Sequence, residues 1–162
     1  MENINDLMNE FKIELSKRKI QKAYRYIFDI FTDLGNALKN SEKIISINSL
    51  YHGYLDMTYL PVITKKLKEN GLKIAIVFNY VPFQFEIWLC AINRKTRKEI
   101  LEIITNSKWN KYKTVENEGN NDAIIELKIQ GMNEFDNKTK IVSLISKETV
   151  MFINEIEKFI QN

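Results

Sequence analysis

The sequence predicts an α+β fold, a mixed four- to five-stranded sheet packed against N-terminal and C-terminal helices. Three observations carry that expectation. Apolar residues recur at helical spacing before residue 40 and again towards residue 160. Between them, Leu50 to Ala91 holds alternating and continuous apolar runs rich in β-branched and aromatic residues. Both prolines, Pro61 and Pro82, fall in that central stretch, as punctuation between strands.

Ile4, Leu7, Met8, Phe11 and Leu15 form a helical stripe over about Asn3 to Lys17. The basic break Lys17-Arg18-Lys19 ends it. Ile20, Ala23, Tyr24, Ile27, Phe28, Phe31, Leu34 and Leu38 then make a longer stripe to about Lys39. Tyr24, Phe28 and Phe31 read as core, because large apolar side chains go inside. Ser41 to Ser46 is a connector, and the next segment, to Leu60, alternates like a strand. His52, Tyr54, Asp56 and Thr58 share one of its faces. Pro61, having no N–H for a ladder, is expected to end that strand and open a helix over Val62 to Lys68, with Gly71 closing it.

LKIAIVFNY (Leu72 to Tyr80) suits a strand buried on both faces. After a turn at Val81-Pro82, Phe83, Phe85, Ile87 and Leu89 point one way, and Gln84, Glu86, Trp88 and Cys90 the other. Asn93 is an N-cap for a helix over Arg94 to Ser107. Trp109 to Glu116 suits a strand, Asn117 to Asp122 a turn, and Ala123 to Ile129 a further strand. Lys138 to Ile145 fits a short helix or an extended segment. Ser146 is expected to cap a terminal helix to about Ile160.

Composition bounds the class. The 162 residues, 44% hydrophobic and 28% charged, suit one domain spanning 1–162 that buries roughly 70% of its unfolded surface. A net charge of +3 speaks to solubility and makes nucleic acid an unlikely partner. One cysteine and one histidine exclude an internal disulfide, Cys-based zinc sites and His-cluster metal sites. A lone cysteine and an acidic, amphipathic N-terminus point to the cytoplasm. No apolar run approaches the roughly 18 residues of a membrane span. No cofactor type is indicated, and assembly as a homodimer stays open.

Gly53 to Leu60 reads GYLDMTYL, Leu72 to Phe78 reads LKIAIVF, and Phe85 to Arg94 reads FEIWLCAINR; Ile20 to Ile27 reads IQKAYRYI. In these segments the chain resembles an uncharacterised family of short bacterial and archaeal proteins. That family carries a GYMDMTYF-like segment followed by LKIAIVF and FE-x-WL…NR motifs. Leu55 and Leu60 stand where its pattern has methionine and phenylalanine. The resemblance implies a single-domain cytosolic protein and brings no catalytic residues with it.

The leading candidate site is a polar and aromatic sheet face of Tyr54, Asp56, Glu86, Trp88 and Arg94. A carboxylate amid Leu55, Met57, Ile87 and Leu89 needs partners or water to stay ionised. At least two of Asp56, Glu86 and Arg94 are therefore expected in one hydrogen-bonded cluster lining a concave surface. The functional reading is a soluble binding or accessory domain for a small polar ligand or a partner protein. The structural reading, groups that serve only the fold, weighs somewhat more, because buried polar networks usually do that.

The alternative is a metal-dependent hydrolase or nuclease-like enzyme using Asp56, Glu86 or Glu126 with Lys128. Glu126-x-Lys128 echoes a magnesium-binding nuclease core, for which Asp56 or Asp122 would be the partner. The alternation of any half-exposed strand explains that spacing as well. Arg94 to Lys98, followed by Lys108, Lys111 and Lys113 around Trp109 and Tyr112, has the ingredients of single-strand binding; the small net charge weighs against it. His52 and Cys90 as a nucleophile pair lack any elbow or oxyanion loop.

Overall fold

The computed structural model describes residues 3–107, 109–115, 123–132 and 134–161. Helices α1 (Ile4–Ser16) and α2 (Lys19–Lys39) precede strands β1 (Ile44–Ile47) and β2 (Met57–Thr64). The short α3 (Lys65–Glu69) leads into β3 (Leu72–Asn79) and β4 (Gln84–Ala91), followed by α4 (Arg94–Asn106), β5 (Ala123–Lys128) and α5 (Lys138–Ile160). The strands form one five-stranded sheet in the order β1-β2-β3-β4-β5. The fold is α+β, as expected, but every pairing is antiparallel rather than mixed. Between β2 and β3 the connection is seven residues, the five of α3 with Asn70 and Gly71, too few for a parallel crossover.

The helix boundaries follow local chemistry. Asn3 caps α1, Thr64 caps α3 by accepting from the Leu67 N–H, and Asn93 caps α4 by accepting from the Thr96 N–H. The Lys17–Lys19 break turns at Arg18, whose φ of 57° is left-handed. α5 starts at Lys138, capped by Asn137, eight residues before the expected Ser146. Ile141 and Ile145 extend its buried stripe backwards to meet Phe152, Ile153 and Ile156. Of the expected Trp109–Glu116 strand, the described part makes one isolated bridge, Thr114 to Ile125. Asn117 to Asp122 and Lys108 lie outside the described residues.

Pro61 corrects the sequence reading. It does not end a strand: β2 runs through it to Thr64, and residues 48–56 are mostly loop with one bridge at Tyr51. The Tyr59 N–H and C=O both pair with Tyr51, so Pro61, two residues on, faces the same side. Its carbonyl accepts from the Asn48 N–H at 3.1 Å. Its missing N–H falls where the chain between Ile47 and Tyr51 has left the ladder, so nothing is lost.

One face of the sheet carries the main core. Leu60, Val62, Ile74, Ile76, Phe78, Phe85, Ile87 and Leu89 meet Ile27, Phe31 and Leu34 of α2 and Ile145, Phe152 and Ile156 of α5. The other face holds a smaller cluster of Ala75, Val77, Trp88, Cys90 and Ala123, with Met57 and Tyr59 at its margin, all from strands. Phe31 is fully buried and Phe28 only half-buried. Phe31→Ala should therefore cost about 3–5 kcal/mol, and Phe28→Ala clearly less. Denaturant midpoints check this; equal losses would mean that α2 does not meet the sheet with the face described.

Candidate functional site

The expected polar row separates into two groups. Glu86 and Trp88 share the smaller-core face of β4, where the Trp88 indole N–H donates to Glu86 Oε2 at 2.7 Å. The Gln84 amide donates to Oε1 at 2.5 Å. Across the ladder Glu86 faces Lys128, and Trp88 faces Glu126. Glu86 is only 3% exposed. A carboxylate so placed needs its donors, and this one has them on both oxygens. Both oxygens are thereby engaged within the face.

Asp56 lies in the loop before β2, two strand spacings or about 10 Å from β4, and is solvent-exposed. Arg94 opens α4 beyond the far end of β4. Five strand residues separate that end from Glu86, about 17 Å. Asp56, Glu86 and Arg94 thus do not form the single cluster that the sequence suggested. Glu126 and Lys128 sit on the Glu86 face of edge strand β5, three strands from the Asp56 end of β2. Asp122 lies outside the described residues. Among the described residues no three His, Cys, Asp or Glu side chains are grouped to hold a metal ion. His52 and Cys90 belong to opposite ends of the sheet: His52 precedes β2, whereas Cys90 faces Lys73 near the start of β3.

The segment at residues 51–58 folds into a tightly bonded loop. Tyr51 and Tyr59 exchange backbone hydrogen bonds at 2.9 and 3.0 Å, and their rings stack with centroids 4.8 Å apart. Gly53 has φ 70°, and a Cβ there would lie 1.9 Å from the Met57 carbonyl oxygen, so only glycine fits. The Tyr54 N–H donates to Asp56 Oδ1 at 2.9 Å. That bond, with a further one from the Met57 backbone, holds the Asp56 carboxyl below its ordinary value.

Buried Thr58 donates its hydroxyl to the His52 carbonyl at 2.6 Å and lies 3.0 Å from the Tyr80 hydroxyl. Thr58 has one proton to give, so Tyr80 is the donor in that second contact. Burial pushes the Tyr80 phenol up to about 12, which keeps the proton there. Sequence reasoning missed the support from α2. Tyr24, assigned to the core, instead donates its hydroxyl to the His52 carbonyl at 3.0 Å, and Phe28 meets the His52 ring edge-on at 4.7 Å. The polar tip of Tyr24 was the available signal, since a part-buried tyrosine hydroxyl seeks an acceptor.

A second loop joins the first. The Tyr80 N–H donates to the Asp56 carbonyl at 3.0 Å, so the β3–β4 turn sits beside residues 53–56. The two tips expose large apolar side chains: Tyr54 is 92% and Val81 90% accessible, and Leu55 and Phe83 about half. Leu55 and Phe83 also hold left-handed backbones, φ 64° and 53°. The Phe83 ring rests edge-on against Phe78 and Phe135. At the edge where β1 and β2 part, Asn48, Ser49, Tyr51, Tyr59 and Pro61 line an open depression of about 660 Å³.

A family model described as a domain of unknown function (DUF7000) matches residues 4–160, and the chain belongs to that family. This agrees with the resemblance to an uncharacterised family. No curated protein and no solved structure matches. Among the described residues, no helix is long and apolar enough to cross a membrane.

Two outcomes check the loop. Gly53→Ala should loosen residues 51–58, read as faster amide exchange at Tyr54; unchanged exchange would refute the close approach to Met57. Because the Asp56 carboxyl is lowered in the folded chain, its contribution is present above the ordinary carboxylate value. That contribution is lost as pH falls through the lowered value. Protection of the Tyr54 amide should fall in that acid window in the wild type, and Asp56→Asn should remove the pH dependence.

Proposed function

We propose that this member of the DUF7000 family is a non-enzymatic binding domain that grips a partner protein with the paired tips at residues 53–56 and 80–83. The observation that carries the reading is the pair of exposed, left-handed apolar residues, Leu55 and Phe83, on loops tied together by a backbone hydrogen bond. Such a backbone costs on the order of 1–3 kcal/mol per residue and persists where the surroundings enforce it, commonly at ligand clamps. Protruding aromatic side chains on a rigid base lose little entropy on docking and are typical anchors of protein interfaces.

On this reading Tyr54 is the anchor and Asp56 fixes its backbone. The depression between Tyr51, Tyr59 and Pro61 receives a side chain of the partner. A protruding surface suits a polypeptide better than a small polar ligand, which favours enclosure. Glu86 and Trp88 support the sheet beneath, and Arg94 stands apart. The domain would act in the cytoplasm, in keeping with its single buried Cys90.

The test compares wild type with Tyr54→Ser/Val81→Ser in capture from an extract of the source cells, with bound proteins identified by mass. Wild type should retain a defined protein, and the double variant should lose it by about tenfold or more. Both side chains are solvent-exposed, so the melting temperature should not move. Capture that survives the double substitution would overturn the reading.

A further inference from the structure

α1 stands out as a helix with an apolar stripe and nothing to cover it. Ile4, Leu7, Met8 and Phe11 share one face by spacing and are 41–66% exposed, and no residue of α1 is buried. A 13-residue helix gains little stability in water alone; amphipathic helices of this length depend on packing. Its one substantial contact among the described elements is with α2.

The charges supply the second half of the argument. α1 carries Asp6, Glu10 and Glu14 against a single Lys12, whereas the first two turns of α2 carry Arg18, Lys19, Lys22 and Arg25 and no acid before Asp29. Glu14 pairs with Lys17. Asp6, Glu10, Arg18, Lys22 and Arg25 make no ion pair with another described residue. Arg18, Gln21, Lys22, Arg25, Tyr26 and Asp29 line a furrow along α2, three cations against one acid. One chain thus holds an acidic apolar arm and a basic furrow, and neither neutralises the other.

We propose that α1 docks in the α2 furrow of a second copy of this chain, reciprocally, in a two-fold dimer. The apolar stripe then covers the Tyr26 ring and the aliphatic stems of Arg18, Lys22 and Arg25, whose charged ends reach Glu10 and Glu14, the acids nearest that stripe on the helix. Two-fold symmetry makes the contact twice, so each added pair counts double. The reading is independent of the tip-mediated partner, which uses other side chains.

The test measures mass in solution by light scattering on the full chain, with circular dichroism confirming that each variant is folded. Wild type should run as a dimer of the 19.2 kDa chain and dissociate as salt rises. Glu10→Lys/Glu14→Lys, and separately Lys22→Glu/Arg25→Glu, should each weaken self-association by about tenfold or more. Mixed one to one, the two variants should form a heterodimer, because both contacts are then complementary again. Leu7→Glu/Phe11→Glu should give a monomer that no mixing rescues. A wild type that stays monomeric at all concentrations overturns the proposal, as does a monomer that binds nucleic acid through the same cations. A dimer indifferent to Lys22→Glu/Arg25→Glu also overturns it, since α1 would then dock elsewhere.

Discussion

The end of the sheet that carries the candidate site depends on one buried hydroxyl, that of Thr58. It is fully buried at the start of β2, with its proton committed to the His52 carbonyl and its oxygen accepting from Tyr80. The same carbonyl accepts from Tyr24 of α2. α2 and β2 therefore meet on a single peptide group of the loop, and Tyr80, just after β3, joins them through the Thr58 hydroxyl. Removing one partner from such a set strands the others without water, a cost of about 1–3 kcal/mol per group. The loop is thereby held, and with it the left-handed Leu55 and the exposed Tyr54.

This arrangement divides the polar residues of the central stretch by task. Glu86 spends both oxygens on Gln84 and Trp88 inside a face closed to solvent, and its value is to let Trp88 lie buried with a satisfied indole N–H. Asp56 spends its carboxylate on a backbone N–H at the surface, where water competes, so its effect is local order rather than global stability. Both side chains lie beside apolar neighbours in sequence, yet they differ in burial because one is mid-strand and the other follows a left-handed turn.

That distinction marks how far the sequence could be read. Helical spacing marks α1, α2, α4 and the later part of α5, and strand-length apolar runs mark β3, β4 and β5, because burial imposes them; α3 is expected three residues early, and Ser41 to Ser46, which holds most of β1, reads as a connector. Face assignment along β4 is legible too and puts Glu86 and Trp88 on one side, whereas the expected grouping among Asp56, Glu86 and Arg94 does not form. Pro61 reads as a strand end because local chemistry forbids a donor without saying which side of the strand needs one; that depends on where the neighbouring chain leaves the ladder. The loop at 51–56 reads as strand because Tyr51, Leu55 and Met57 alternate with polar residues. Gly53, with its φ of 70°, was the sign against a strand. The role of Tyr24 depends on a contact 28 residues away and has no local signature.

The same two turns of α2 face both candidate surfaces. Tyr24 and Phe28 lean on the loop at His52, while Lys22 and Arg25 line the furrow on the helix's solvent side. A rigid helix couples its sides: a body docked in the furrow fixes α2, and α2 fixes the carbonyl on which the loop hangs. Two copies joined through α1 and α2 would carry their tips as a pair at a set spacing. A partner offering two epitopes at that spacing would then meet the second tip as an intramolecular event, gaining avidity without any new contact. Under the proposed arrangement, tips of a few exposed side chains on loops would suffice without a deep cleft.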